Sequence, residues 1–112
     1  MNSRDELYFR HILDAINQIN LYLVGATYDN FCADRKSIDA VVRELEIIGE
    51  AAKQMSEEGR KQLHPAPWSE MISTRNRLIH EYFGVDLEMV WKTTREDLLP
   101  LKNTIEKVLG QM

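Results

Sequence analysis

Apolar residues recur at helical spacing through almost the whole chain. The clearest repeat lies in residues 38–55, where three- and four-residue steps alternate between Ile38, Val41, Leu45, Ile48, Ala52 and Met55. Such a repeat forms an apolar seam along an α-helix, so it predicts a helix with its seam in the core. Asp39 and Arg43 have the i,i+4 spacing of a favourable ion pair. Gly49 lies inside this helix, where glycine costs up to about 1 kcal/mol relative to alanine, and close approach of another helix is a reason for it.

The residues before this repeat predict a first helix. Ser3 and Glu6 have the spacing of a capping box, so the helix should start at Ser3. Its apolar face recurs at three- and four-residue steps: Leu7 or Tyr8, Ile12, Ala15, Ile16, Ile19 and Leu23. Gly25 suits the C-terminal end of this helix. Residues 28–34 then form a short link to the second helix.

The middle of the chain is predicted to be a polar loop followed by a third helix. The loop covers residues 56–67 and contains Gly59 and two prolines. Pro67 and Trp68 begin the third helix, because proline is well accommodated at a first helical position. This helix should end near Gly84.

The C-terminal part predicts one or two more helices. Asp86 can cap a fourth helix that runs toward Leu98, and Pro100 should kink or restart it. The final amphipathic segment carries Leu101, Ile105, Val108 and Leu109. Because no segment has the alternating pattern of a strand, we expect an all-α fold: an antiparallel up-and-down bundle of four to five helices. At 112 residues, residues 1–112 should form a single domain.

Composition narrows the classes of protein that fit. The net charge of −4 argues against a protein that coats nucleic acid by bulk positive charge, although it allows a local basic site. Residues 60–82 carry four basic and two acidic side chains, so this segment has a net charge of +2 and the remainder −6. Cys32 is the single cysteine, which excludes an intrachain disulfide and favours a reducing compartment.

No targeting segment or metal site is expected. Residues 1–10 are too polar for a signal peptide, and the longest uncharged apolar run, residues 21–26, is far shorter than the roughly 20 residues that span a bilayer. We therefore expect a cytoplasmic protein without membrane association. The three histidines and one cysteine lack ligand-like spacing, which argues against structural zinc.

The third helix holds the candidate chemistry. On a helical wheel, six apolar or aromatic residues fall within roughly 60° of Arg75: Trp68, Met71, Ile72, Leu78, Ile79 and Tyr82. A charge at the centre of an apolar face must be paired or must line an interface or cleft. Asn76 and His80 are i,i+4 neighbours on an adjoining face.

Arginine and histidine together suit cleavage of an RNA phosphodiester without a metal or other cofactor. The substrate 2′-OH would attack the adjacent phosphorus, His80 would move a proton, and Arg75 would hold the charge on the phosphate oxygens. On a straight helix these residues lie about 140° apart. Either the helix end unwinds near His80, or two copies of the chain combine their residues across an interface.

Structural interpretations of the same residues remain open. Arg75 could pair with a buried carboxylate such as Glu46 or Glu50, and His80 could interact with a helix dipole at the C-terminal end. Tyr82 could be a core or interface aromatic residue.

Residues 75–82 read R-x4-H-x-Y, and this stretch resembles the signature of HEPN-domain proteins of the HepT type, the toxins of HepT/MntA toxin–antitoxin pairs. The similarity extends over essentially the whole chain. It includes residues 34–36, 45–52, 67–68, 83–86, 90–91 and 97–98.

The resemblance implies a type VII toxin that is a homodimeric helical bundle with its active cleft at the dimer interface. Whether the dimers assemble further is left open. It implies metal-independent RNA cleavage with Arg75 and His80 as catalytic residues and Asn76 as the polar residue beside the arginine. The implied partner is a minimal nucleotidyltransferase antitoxin, MntA-like, that transfers AMP from ATP to Tyr82 and so makes O-AMP-tyrosine. The alternative functions are a non-catalytic helical partner that binds nucleotide, RNA or a nucleotidyltransferase, and a purely structural interaction domain.

Overall fold

The structure of the protein is a computed structural model, and it describes residues 2–62 and 86–110. These residues form six α-helices and one π-helical segment and contain no β-strand. In chain order they are α1 (Ser3–Tyr22), α2 (Tyr28–Ala33), α3 (Arg35–Gln54), α4 (Glu57–Gln62), α5 (Leu87–Lys92), the π-helical segment (Thr93–Asp97) and α6 (Leu98–Gly110). The all-α prediction is confirmed. The predicted third helix, residues 67–84, lies outside the described residues.

Helices α1 and α3 run antiparallel and form the centre of the core. Asp5 in the first turn of α1 bonds to Ser56, just beyond the end of α3. The predicted seam of α3 is confirmed, since Val41, Leu45, Ile48, Ala52 and Met55 are buried and Ile38 is partly buried. The facing residues of α1 are fully buried as well: Phe9, Ile12, Ile16 and Ile19. Burying each large apolar side chain contributes about 1.5–3 kcal/mol.

Helix α1 starts at Ser3 as predicted, but its cap is not the predicted box of Ser3 and Glu6. The cap is Asn2, whose Oδ1 accepts a hydrogen bond from the Asp5 N–H at 2.7 Å. Ser3 is instead the first helical residue. An asparagine one residue earlier satisfies a free N–H of the first turn equally well, so the capping-box pattern alone could not identify the capping residue. The predicted end is confirmed by Gly25, which has φ +71°.

Two segments predicted as non-helical contain short helices. The link over residues 28–34 holds α2, which buries Phe31 in the core. The polar loop over residues 56–67 begins with α4, in which Gly59 is buried. Helices of six residues are not stable by themselves in water, so tertiary contacts decide whether they form.

The N-terminus of α3 has a strong cap. Asp34 accepts hydrogen bonds from the Lys36 and Ser37 N–H groups and from the Ser37 hydroxyl. The bond from that hydroxyl is the largest reason why the pKa of Asp34 is lowered. The sequence predicted an ion pair between Asp39 and Arg43. In the structure Asp39 pairs with Arg35 instead, at 3.7 Å. Both side chains are largely exposed, so the exchange of partner has little energetic weight.

The C-terminal helix is interrupted where proline was expected to act. Asp86 caps α5 as predicted, through a hydrogen bond from Met89 N–H to Oδ1 at 3.1 Å. The π-helical segment then precedes Pro100, which lies in the first turn of α6. A proline lacks the N–H of a regular helical bond, and a wider turn next to it accommodates this. The predicted apolar face of α6 is buried at Leu101, Ile105 and Val108. Among the described helices, none is both long and apolar enough to cross a membrane.

Candidate functional site

The four sequence-predicted site residues are Arg75, Asn76, His80 and Tyr82. They all lie in residues 63–85, outside the part of the chain that the structure describes. The meeting of Arg75 and His80 at one phosphate therefore stays a prediction. The described residues contribute two grooves that carry polar and aromatic side chains.

The first, which we call the α1–α3 groove, has a volume of about 350 Å³. It is lined by Tyr8, His11, Arg43, Glu46, Ile47, Glu50 and Ala51. Residues 46 and 47 come three and four positions after residue 43, and residue 50 comes four and three positions after them, so all four share one face of α3. The antiparallel arrangement places this face opposite the first turns of α1. The same packing that builds the core therefore also forms the groove along its edge.

The α1–α3 groove combines rings with charges. The rings of Tyr8 and His11 meet edge to face, with their centroids 6.0 Å apart. On the α3 side, the groove is lined by Arg43 and by the carboxylate-bearing residues Glu46 and Glu50. Glu50 Oε1 accepts a hydrogen bond from Gln54 at 3.1 Å.

The second groove surrounds Trp91, has a volume of about 360 Å³ and is lined by Tyr28, Glu88, Trp91, Lys92, Arg95 and Glu96. The Arg95 guanidinium lies 4.3 Å from the centroid of Trp91. It also donates hydrogen bonds to the carbonyl oxygens of Leu23 and Ala26, at 3.4 and 3.2 Å. Phe31 packs 5.4 Å from the same ring. The indole of Trp91 is therefore already in contact with Arg95 and Phe31. Through its hydrogen bonds to Leu23 and Ala26, Arg95 holds the turn between α1 and α2 against the C-terminal helices.

Tyr28 and Cys32 lie one helical turn apart at the edge of the second groove. A hydrogen bond with the Cys32 side chain is the largest cause that raises the pKa of Tyr28. Cys32 is partly buried.

Two buried carboxylates lie along the α1–α3 contact. Asp5 is 1% exposed and accepts hydrogen bonds from both the N–H and the hydroxyl of Ser56. Glu44 is also buried, and its Oε2 has no hydrogen-bond partner among the residues that the structure describes. Burial raises the pKa of Glu44, and the charge of Asp14 adds to this. Asp5 therefore connects the start of α1 to the residue that follows α3, whereas burial makes ionisation of Glu44 unfavourable.

Sequence reasoning did not identify the α1–α3 groove. The spacing predicts Leu7 or Tyr8 on the apolar face of α1 and offers Glu46 only as a partner of Arg75. The spacing of Arg43, Glu46 and Glu50 marks a polar stripe beside the apolar seam, and this signal was present in the sequence. Within residues 2–62 and 86–110, no group of three or more His, Cys, Asp or Glu side chains is arranged to hold a metal ion.

The chain is similar to known proteins over most of its length. The model of the family described as "Ribonuclease HepT-like" matches residues 12–108. A protein of Thermococcus cleftensis named "Probable ribonuclease HepT" is 44% identical over 90% of this chain and 92% of its own length. A protein of Methanocaldococcus jannaschii named "Putative RNase" is 37% identical over 96% of this chain and 100% of its own length. No solved structure gives a significant match. The matched family model and these identities show that the chain belongs to the HepT-like ribonuclease family.

Proposed function

We propose that this protein is a metal-independent endoribonuclease and the toxin of a HepT/MntA-like toxin–antitoxin system. Residues 1–112 act as one HEPN-like domain, and the working form is a homodimer. RNA is the substrate, and the antitoxin is a minimal nucleotidyltransferase.

The observation that carries this proposal is the position of the R-x4-H-x-Y motif. Residues 75–82 lie inside the range, 12–108, that matches the ribonuclease family model. The motif supplies a permanent positive charge and a side chain that exchanges a proton near neutral pH. These are the two groups that cleavage through a substrate hydroxyl requires.

The reaction is an internal transfer at phosphorus. The 2′-oxygen forms a bond to the adjacent phosphorus while the bond to the 5′-oxygen of the next nucleotide breaks. The products are a 2′,3′-cyclic phosphate and a 5′-hydroxyl. His80 moves a proton between these oxygens, and such general acid–base catalysis is typically worth about 10²–10⁴-fold. Arg75 holds the charge on the non-bridging oxygens, an electrostatic effect that is often larger.

A dimer reconciles this chemistry with helix geometry. Arg75 and His80 project about 140° apart on a regular helix. Two copies that pair their motif helices can supply Arg75 from one chain and His80 from the other at one phosphate. Asn76, beside Arg75, then orients the substrate through hydrogen bonds.

Modification of Tyr82 provides the control of this activity. In the transfer, the phenolic oxygen bonds to the α-phosphorus of ATP, pyrophosphate leaves, and the phenolic proton is released. The adduct is bulky and negatively charged, two residues from His80. It blocks a phosphate-binding cleft by its size and by repulsion between like charges.

The test is RNA cleavage by purified wild-type protein beside His80→Ala and Arg75→Ala. We expect each variant to lose at least 100-fold in rate, as for removal of a general acid–base or a charge-stabilising group. Arg35→Ala is the matched control, because the Arg35 side chain is 85% exposed. Products should carry a 2′,3′-cyclic phosphate. If wild-type protein binds RNA but cleaves no faster than His80→Ala, the chain is a binding partner and not a ribonuclease.

A further inference from the structure

We infer that the α1–α3 groove is a nucleobase subsite for the RNA substrate and that it prefers guanine. This inference rests on the proposed function, to which it adds a place where the RNA is held and a base that is selected. The groove is formed by described residues of α1 and α3, and none of them belongs to the R-x4-H-x-Y motif.

The α1 side of the groove is suited to a flat ring. Tyr8 and His11 form an edge-to-face pair with centroids 6.0 Å apart, and Tyr8 is partly buried while His11 is exposed. Unpaired RNA bases are commonly held by stacking on tyrosine, histidine or arginine side chains. Such stacking strengthens binding by roughly five- to a hundredfold per base. The volume of about 350 Å³ lies at the low end of small-molecule pockets, which fits a single base.

The charge of the groove favours a base over a phosphate. Arg43 alone would attract the RNA backbone, but Glu46 and Glu50 lie on the same face of α3. A phosphate inside the groove would face the carboxylate of Glu46, which repels it. A neutral base has no such cost. Arg43 can then contact the phosphate that precedes or follows the base at the mouth of the groove.

The carboxylate of Glu46 provides the selection. Glu50 Oε1 already accepts a hydrogen bond from Gln54, so Glu46 is the acceptor that we assign to the base. A carboxylate has acceptors only. Guanine presents two adjacent donors on its Watson–Crick edge, N1–H and the 2-amino group, and can bond both carboxylate oxygens. The corresponding edges of adenine, cytosine and uracil place an acceptor beside each donor, which the carboxylate repels.

The experiment measures binding without cleavage. Short 2′-O-methyl oligouridines carry one central guanosine, inosine or adenosine, and their affinity for wild-type protein is read by fluorescence anisotropy. These oligonucleotides cannot be cleaved through a 2′-OH, so the result does not depend on catalysis. We expect affinity to fall from guanosine to inosine to adenosine, with roughly tenfold between guanosine and adenosine. Inosine is intermediate because it keeps N1–H but lacks the 2-amino group.

Variants assign the effect to the groove. Glu46→Gln should remove the preference for guanosine, and Tyr8→Ala should weaken binding of all three oligonucleotides by roughly tenfold. Arg43→Gln should weaken them equally and reduce the slope of log affinity against log salt by about one. Glu58→Gln on α4 and Tyr22→Ala near the end of α1 are matched controls, because both side chains are exposed outside the groove.

The inference is overturned if the three oligonucleotides bind equally, or if Glu46→Gln keeps the full guanosine preference. It is also overturned if the groove variants weaken only the complex with the nucleotidyltransferase, since the groove would then be a protein interface. Each of these results leaves cleavage by Arg75 and His80 standing. Conversely, a guanosine preference that depends on Glu46 in a protein that cleaves no RNA would refute the proposed function alone.

Discussion

The contact between Gly59 and Asp5 fixes α4 against the start of α1, and adding one methyl group there tests it. A Cβ at Gly59 would lie 2.6 Å from both Cγ and Oδ2 of Asp5 and 2.9 Å from Cγ of Met55. Asp5 has little freedom to move, because its carboxylate is 1% exposed and bonded twice to Ser56. Gly59→Ala must therefore displace a held carboxylate.

The expected loss of folding stability combines two costs with one smaller gain. Overfilling a packed site costs about 1–3 kcal/mol. Disturbing hydrogen bonds to a buried charged group costs about 1.5–3 kcal/mol. Alanine returns at most about 1 kcal/mol of helix propensity. We therefore expect Gly59→Ala to lower the free energy of unfolding by about 1.5–5 kcal/mol.

Urea unfolding followed by circular dichroism measures this, at equal protein concentrations because a dimer unfolds with concentration dependence. Gly110→Ala is the matched control, since a Cβ there meets nothing within 4 Å. In an Asp5→Ala background the cost of Gly59→Ala should shrink by at least about 1 kcal/mol, because the two sites are in contact. Gly59→Ala protein as stable as wild type would refute the reasoning.

Four further predictions concern charge, packing and control. Burial raises the pKa of Glu44 above its ordinary 4.5, so the folded state loses stability as pH rises above that value. Glu44→Gln should therefore be more stable than wild type at pH 7, and urea titrations should show this difference vanishing near pH 4. The same change at the exposed Glu106 should not alter stability in this way. Arg95→Ala should lower the free energy of unfolding by about 1–2 kcal/mol, because it removes the cation over Trp91 and two hydrogen bonds; an unchanged urea midpoint would contradict this. A chelating agent should leave RNA cleavage unchanged, and loss of activity with recovery on adding metal would count against the mechanism. Tyr82→Phe should keep cleavage but gain no AMP mass when incubated with the antitoxin and ATP; an adduct of AMP on this variant would place the modification elsewhere.

Periodic features were predictable from the sequence because they repeat over many residues. The seam of α3 extends through five helical turns, and one misread position cannot change its period. The cap at Asp86 is also local, because its side chain accepts a hydrogen bond from the Met89 N–H three residues later. The R-x4-H-x-Y motif and the family resemblance likewise belong to the order of residues, and the family is confirmed.

Tertiary structure decided which short helices form and which residues distant in the sequence come into contact. Helices α2 and α4 are too short to form by themselves, so Phe31 in the core and Gly59 against Asp5 determine them. The α1–α3 groove exists because an antiparallel contact brings Tyr8 opposite a stripe of α3 that lies about 40 residues away in the chain. Sequence alone thus determined the helical class, the seam of α3 and the family, because local spacing encodes them. Only packing decided which polar side chains meet, since long-range contacts depend on how the helices are arranged.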